Sequence, residues 1–494
     1  MGGQLRRLAG ETVIYGFSSV IARMVNFFFV PIYTRILSQE GYGSYSEIVS
    51  YILMLMVVLT MGLETGCFKF ANNKNIGDPE RPFSTALITV FLGSLLFFTG
   101  ISLFSVQLAG LMGYEGYYRV MIFSGGILAM DAVTSILFAR LRYLQKAVKF
   151  AAFKSIKIFG ELGFNLLLFF VAPAYLGSHP DSFLLDFIPA TPDFSYIIFA
   201  VFLSCVLCTV LFIPDLLKMK LYFNKVLWKQ MMIYSLPLMV AGLPGVVNES
   251  LDRVLFRFFA PEGSVWRAEL GVYQAAVKLA VIMSLFIQMF RYAAEPFFFS
   301  RGKNKELLAE VMEYFVAFCL LIFLGVTLYI DVIGLILGKD FRGAMGTVPF
   351  MLISYMLLGM LFNISMWYKL SGQTKYAICI TLSGLAVTAV INIAFMPYFS
   401  YWASVAAHVL SCLVMLLYSL HLGNKYYPIP YKWGKICTFI LVAFGLYGVA
   451  LLVQLLFPGM HLAVRLLINT LLIVVYLLYC GYKYKLNIRT ILKK

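Results

Sequence analysis

The sequence predicts an all-α polytopic membrane protein of about 14 transmembrane helices, laid out as two six-helix lobes in parallel pseudo-repeat plus two C-terminal helices. Three observations predict it. Of 494 residues, 61% are hydrophobic and 13% charged, with a mean hydropathy of +0.87, whereas a soluble protein averages roughly 45–50% apolar and about 25% charged because water must wet its surface. The apolar residues fall in long runs, enough for about 14 spans at roughly 20 residues each, with no room for a separate soluble domain. Lys and Arg gather at every second connection between those runs. Together these exclude a soluble enzyme carried on a single anchor.

Runs bounded by charge, Gly or Pro define the helices in order. Arg6 and Arg7 precede the first, at 11–36, and Arg35 ends it before the second, 42–63. Lys69, Lys74 and Arg81 lead to the third, 84–110, and Arg119 stands at the start of the fourth, 117–139. Arg140, Arg142, Lys146, Lys149, Lys154 and Lys157 mark the near end of the fifth, 150–174. A connection at 175–193, with Asp181, Asp186 and Asp193 and no Lys or Arg, leads to the sixth, 194–216. Lys218, Lys220, Lys225 and Lys229 come before the seventh, 231–258; Arg257 and Arg267 separate it from the eighth, 269–291. Arg291, Arg301, Lys303 and Lys305 precede the ninth, 307–337, which is long for one helix and is expected to tilt or end near Asp331. Lys339 and Arg342 precede the tenth, 346–369, and Lys369 and Lys375 divide it from the eleventh, 375–396. The twelfth spans 400–421; Lys425, Lys432 and Lys435 follow it, then the thirteenth, 435–457, and the fourteenth, 461–482, with Lys483, Lys485, Arg489, Lys493 and Lys494 at the end.

Twenty-nine of the 39 Lys and Arg thus lie on the side of the termini and six on the other, while Arg23, Arg253, Lys278 and Arg465 fall within spans. Basic residues accumulate on the cytoplasmic side, so both termini are expected there. The charge of +16 is then a topology signal rather than a nucleic-acid surface, which would gather its basic residues on one exposed face. The eight cysteines sit singly in apolar stretches; Cys205 and Cys208 have no second pair and read as small apolar side chains. The four histidines are far apart, so no metal and no cofactor is expected. The start runs into a long span rather than a cleavable signal, and Arg6 breaks the acylation pattern.

Ionisable groups at bilayer depth are costly and tend to face a cavity or one another. Arg23 lies near the middle of the first span with Ser19 and Asn26 on its face, and its guanidinium fork suits a phosphate; the other reading pairs it with Asp131 or Glu161. Lys278, one turn beyond Gln274 in the eighth span, is a second cationic candidate, or a lysine that snorkels outward. Asp131, with Thr134 and Ser135 one turn on, and Glu161 are the candidates for ion coupling. Glu249 and Arg253 are four apart and are expected to pair along the seventh helix. Pro237 and Pro244, with Gly242 and Gly245 alongside, should bend or break that helix and make it a gating hinge.

Transporters are commonly built from repeats. The first span ends Arg35-Ile36-Leu37 and the second begins Gly43-Ser44-Tyr45; the seventh holds Arg253-Val254-Leu255 near its end and the eighth begins Gly271-Val272-Tyr273. This gives an N-terminal lobe at 1–216, a C-terminal lobe at 217–421, and helices 13 and 14 with the tail at 422–494. The stretch Pro31-Ile32-Tyr33-Thr34-Arg35-Ile36-Leu37 followed by Gly41-Tyr42-Gly43-Ser44-Tyr45 resembles the opening of the Wzx-like polysaccharide (O-antigen and capsule) flippases of the multidrug/oligosaccharidyl-lipid/polysaccharide exporter superfamily. Ser235-Leu236-Pro237-Leu238, Asp252-Arg253, Gly271-Val272-Tyr273 and Lys278-Leu279-Ala280 resemble that family's seventh and eighth helices; the 261–269 loop is longer than its first-lobe counterpart. The resemblance implies a bacterial inner-membrane flippase that moves polyprenyl-diphosphate-linked oligosaccharide from the cytoplasmic to the outer leaflet by alternating access, in contact with membrane lipids, with H+ or Na+ coupling and polysaccharide polymerase or assembly proteins as further partners. Three alternatives stay open: a multidrug/toxin cation antiporter of the same superfamily, a lipid II flippase, and a membrane enzyme acting on lipid-linked sugars, for which Asp181, Asp186 and Asp193 are the available carboxylates.

Overall fold

Hydrocarbon offers no water to a backbone N–H or C=O, so a segment that crosses it must satisfy its own peptide groups. The computed structural model, which describes residues 24–25, 27–73, 78–301 and 304–484, answers with helices and no strand among the described residues. They are α1 (Phe27–Ile36), α2 (Gln39–Thr60), α3 (Leu63–Ala71), α4 (Glu80–Leu103), α5 (Ser105–Leu111), α6 (Tyr118–Tyr143), α7 (Ala147–Leu166), α8 (Ala172–Ser178), α9 (Phe194–Lys218) and α10 (Lys225–Phe259). There follow α11 (Trp266–Arg301), α12 (Lys305–Leu328), α13 (Ile330–Ile333), α14 (Val348–Ile364), α15 (Met366–Leu370), α16 (Lys375–Phe399), α17 (Tyr401–Tyr426), α18 (Trp433–Leu456) and α19 (Leu462–Lys483).

By length and composition, 13 helical stretches among the described residues can cross a membrane, and α1 is the described end of the first expected span. The protein is a multi-pass, all-α membrane protein. The ninth span stops at Leu328, with the one-turn α13 beyond it, in line with its excess length. The second is longer than expected: α2 and α3 join through Met61 and Gly62, both at positive φ (50° and 66°), and run to Ala71. The fifth runs from Ala147 to Ser178 through a π-helical turn at Leu167–Val171. Pro237 and Pro244 do not break α10, which is helical from Lys225 to Phe259. Breaking it would expose further unsatisfied peptide groups, a larger cost in lipid than the one hydrogen bond each proline removes.

The chain divides into two compact units, Met1–Gly271 and Val272–Lys494. In the first, α6 is the central helix; its Leu128, Ala132 and Ile136 pack into one core with Leu63 and Cys67 of α3, Phe83 of α4 and Phe212 of α9. α10 belongs to this unit through α2 and α3: an added methyl at Gly62 would meet the Ser235 carbonyl at 2.7 Å, and Gly66 lies directly under the Ser235 hydroxyl. At the far end of α2, Gly43 and Gly271 let two backbones cross, since a Cβ on Gly43 would overlap the Arg267 carbonyl and one on Gly271 the Gln39 carbonyl. In the second unit α12 is flanked by α14, α18 and α19, with Trp367 fully buried, its Nε1 donating to Ser419 Oγ at 3.1 Å.

Gly43→Val should cost about 1–3 kcal/mol or more through overpacking, read as a lowered thermal midpoint of the purified protein. Gly100→Ala, whose added methyl meets nothing within 4 Å, should leave that midpoint unchanged or raise it.

Candidate functional site

Along α7 the exposed apolar side chains Ile156, Phe159 and Leu166 mark one face. Lys157, Glu161 and Asn165, spaced four apart, occupy the opposite face. Lys157 stands ten residues beyond the start of α7 at Ala147, and Asp131 thirteen beyond the start of α6 at Tyr118, so both lie deep in their spans. They form an ion pair: Lys157 Nζ donates to Asp131 Oδ1 at 2.5 Å. Their side chains keep 22% and 28% of their surface accessible, so the pair is not sealed in the core. The Cys205 thiol of α9 donates to the same carboxylate oxygen at 3.3 Å. One turn beyond Lys157 is Glu161, whose backbone carbonyl accepts from Asn165 Nδ2 at 2.8 Å, while Asn165 Oδ1 accepts from Tyr33 Oη at 2.8 Å.

Tyr33 opens an aromatic layer next to this cluster. Its ring stacks on Phe29 at 5.3 Å and meets Tyr45 at 6.0 Å and Phe169 at 5.6 Å, and Tyr45 meets Tyr42 at 5.9 Å. Further along α2, Glu47 is fully buried and accepts from Tyr114 Oη at 2.5 Å. The Arg267 guanidinium lies 4.5 Å over the Tyr114 ring and donates to the Met112 and Gly113 carbonyls at 3.0 and 3.1 Å, while Arg257 donates to the Leu111 carbonyl. Burial and the Glu47 carboxylate push the Tyr114 phenol well above its ordinary range, so it stays a donor. These contacts and the Gly43–Gly271 crossing fasten one end of the first unit; ion pairs Arg140–Glu80 (2.7 Å), Arg142–Glu64 (3.2 Å) and Lys149–Asp215 (2.7 Å) fasten the other.

The family model described as "Polysaccharide biosynthesis protein" matches residues 8–301. The chain belongs to this family. Among solved structures, one titled "Lipid II flippase MurJ, inward closed conformation" shares the fold, at 12% identity and a TM-score of 0.73, over 96% of this chain and 99% of that one. The eukaryotic MATE transporter AtDTX14 aligns at 13% identity and TM-score 0.48 over 89% of this chain and 98% of its own. The Vibrio cholerae MATE transporter VcmN in its bent form aligns at 12% and 0.47 over 86% and 98%. No curated protein matches by sequence.

In this member of the polysaccharide biosynthesis family, the residues expected to matter fall into several groups. Arg23 and Asn26 lie outside the described residues. Gln274 and Lys278 share one face of α11 in the second unit, Gln274 buried and Lys278 half-buried with an interaction of its own. Asp131 and Glu161 share one site, and the residue between them, Lys157, is the one missed: it was counted with the flanking basic cluster because α7 begins earlier than the apolar run. The hydroxyls of Thr134 and Ser135 turn back to carbonyls of their own helix, at 2.9 Å to Met130 and 2.8 Å to Ala132. The expected Glu249–Arg253 pair does not form among the described residues; Arg253 reaches across to Ser50 Oγ at 3.4 Å, because its face of α10 packs on α2. In the 175–193 connection, Asp186 meets Arg119 at 3.7 Å and Asp193 caps α9, accepting from the Ser195 amide at 2.9 Å.

Lys157→Met leaves the Asp131 charge uncompensated at depth and should destabilise by about 3–5 kcal/mol. Adding Asp131→Asn should recover most of that loss in a thermal-unfolding cycle of the four proteins; simple additivity would contradict the pairing.

Proposed function

We propose that this protein moves a polyprenyl-diphosphate-linked oligosaccharide from the cytoplasmic to the outer leaflet of a bacterial inner membrane, by alternating access and without making or breaking a bond. The observation that carries this reading is a charged, partly accessible cluster, Asp131–Lys157–Glu161, at depth in the spans of a chain of the polysaccharide biosynthesis family. Charges are kept at such depth where a polar solute must pass. The shared fold with a structure titled as a lipid II flippase supports movement of a lipid-linked head group. O-antigen, capsule or related surface polysaccharide assembly is the setting we infer, with a polymerase or assembly proteins as partners and both termini cytoplasmic.

The working arrangement has two lobes, 1–216 and 217–421, related by the repeat, with 422–494 appended. Arg23 and Asn26 in one lobe and Lys278 and Gln274 in the other would contact the diphosphate; Asp131 and Glu161 would serve coupling to H+ or Na+; Pro237 and Pro244 would let α10 flex without breaking. The two carboxylates also favour a second reading, a multidrug/toxin antiporter with cationic substrates. An enzyme on lipid-linked sugars is disfavoured by the separate structural tasks of Asp186, paired with Arg119, and Asp193, capping α9.

Leaflet movement of a labelled polyprenyl-diphosphate oligosaccharide in proteoliposomes tests the reading, with lipid II and a cationic dye as comparison cargoes and chromatography to establish that the lipid is unaltered. Movement of the oligosaccharide lipid alone is the expected outcome; dye export alone would transfer the protein to the antiporter class, and sugar transfer to the enzymes. In the same assay Arg23→Ala and Lys278→Ala, each correctly folded, should slow movement at least about tenfold, the loss of a charge-assisted contact; wild-type rates would remove those residues from the site. Replacing Pro237 and Pro244 together by alanine should slow transport more than it lowers expression, and unaltered transport would refute the hinge.

A further inference from the structure

Among the described residues, the cluster holds two carboxylates against one ammonium. Asp131 is committed, since a single oxygen takes both Lys157 Nζ at 2.5 Å and the Cys205 thiol at 3.3 Å. Glu161 sits one turn beyond Lys157 on the same face, and among the described residues its carboxylate has no hydrogen bond and no ion pair; only its backbone carbonyl is used, by Asn165. Among the described residues the charged and titratable groups around it are Lys157 on its own helix, Asp131 of α6, Cys205 of α9, Tyr33 of α1 and Tyr45 of α2, with Arg253 of α10 beyond Tyr45 and Cys208 of α9 beside Lys157 and Asp131. Arg23 of the first span lies outside the described residues.

With Asp131 ionised on Lys157, a second ionised carboxylate at this depth carries a surplus charge that desolvation penalises. A proton or a monovalent cation would neutralise it. A sodium ion needs several oxygens and would stand beside the Lys157 ammonium, whereas the Thr134 and Ser135 hydroxyls serve their own backbone and the Asn165 amide oxygen is held by Tyr33. A proton needs one carboxylate oxygen. We propose that Glu161 is the proton carrier of the transport cycle, and that Lys157 is a positioning residue whose ammonium is held by Asp131 rather than by Glu161. This deepens, and rests on, the transporter reading.

The sign follows from charge. Protonated Glu161 leaves the cluster neutral and tolerant of an anionic head group, whereas ionised Glu161 leaves one net negative charge that repels it. Affinity for a diphosphate should therefore rise as pH falls.

Two measurements on the full chain in lipid nanodiscs test this. The first is labelling by an apolar carbodiimide, which attacks a protonated carboxyl, from about pH 5 to about pH 9, the range reached by buried glutamates, with the modified residue located by mass spectrometry. Labelling at Glu161 that falls at least about tenfold across that range, with Asp131 unlabelled, is expected; labelling at Asp131, or none at Glu161, would overturn the proposal. The second is binding of a short-chain polyprenyl diphosphate over the same range: wild type should bind more tightly at low pH, Glu161→Gln should hold the low-pH affinity throughout, and Asp131→Asn, which frees the Lys157 ammonium for Glu161 one turn away, should move the rise in affinity to lower pH. A slope retained by Glu161→Gln would also overturn it. Carbodiimide labelling needs no cargo and uses only the wild-type protein, so it decides the proton site even if no lipid diphosphate binds or moves, a result that would instead count against the flippase reading.

Discussion

The constraint on which the rest depends is that a peptide group inside a bilayer has no solvent to fall back on. It explains why the described residues are helical nearly throughout, why α10 runs unbroken through two prolines, and why the corner at Met61 and Gly62, both left-handed, still bonds the Met61 amide to the Val58 carbonyl at 3.2 Å and the Gly62 carbonyl to the Gly66 amide at 3.3 Å. Side-chain hydroxyls obey the same rule. Ser46, Ser50, Thr60, Thr134, Thr209 and Thr327 each donate to a carbonyl three or four residues back in their own helix, so the polar residues scattered through the spans mostly need no partner on another helix.

Against that background the side chains that do reach between helices carry information. In the second unit they hold the last span: Asn469 donates to the Leu328 carbonyl, Tyr476 to the Ala317 carbonyl at 3.0 Å, Tyr329 bonds Thr470 at 2.6 Å and Arg465 pairs with Asp331 at 2.7 Å. α19 is thereby fixed to α12 and α13, although most of its surface is exposed. These are pairings of complementary groups with no surplus. Among the described residues the Asp131–Lys157–Glu161 cluster differs in holding two acids against one base, and a set unbalanced in that way is hard to account for as a fastening alone, because a balanced or apolar set would hold helices as well.

The number and order of spans were legible in the sequence because hydrophobic length and the alternation of Lys and Arg report directly on the bilayer. Helix ends were less so: the polar first turns of α7 and α10 lie outside the apolar runs, and that displacement put Lys157 among the flanking basic residues instead of at depth. Pairings between helices were not legible at all. Glu249 and Arg253 satisfy an i, i+4 rule that holds for an exposed helix face, yet the facing helix offers Ser50 to Arg253. Conversely, Tyr33, Tyr42 and Tyr45, which entered only as letters of a family resemblance, form one aromatic layer, and Gly43 and Gly271, aligned only as repeat counterparts, are in contact because neither has a Cβ.

The flexing proposed for α10 would have a definite place in its packing. Near its start, Ser235 is buried against Gly62 and Gly66, and Tyr234 lies under Lys69 at 3.6 Å. Near its other end Arg253 reaches Ser50 and Arg257 holds the Leu111 carbonyl. Between these anchors Pro237, Gly242 and Gly245 are exposed, and an added methyl on either glycine meets nothing within 4 Å. A helix held at two points, weakened between them by prolines that each delete a hydrogen bond and by glycines with room to move, can bend there without disturbing either anchor.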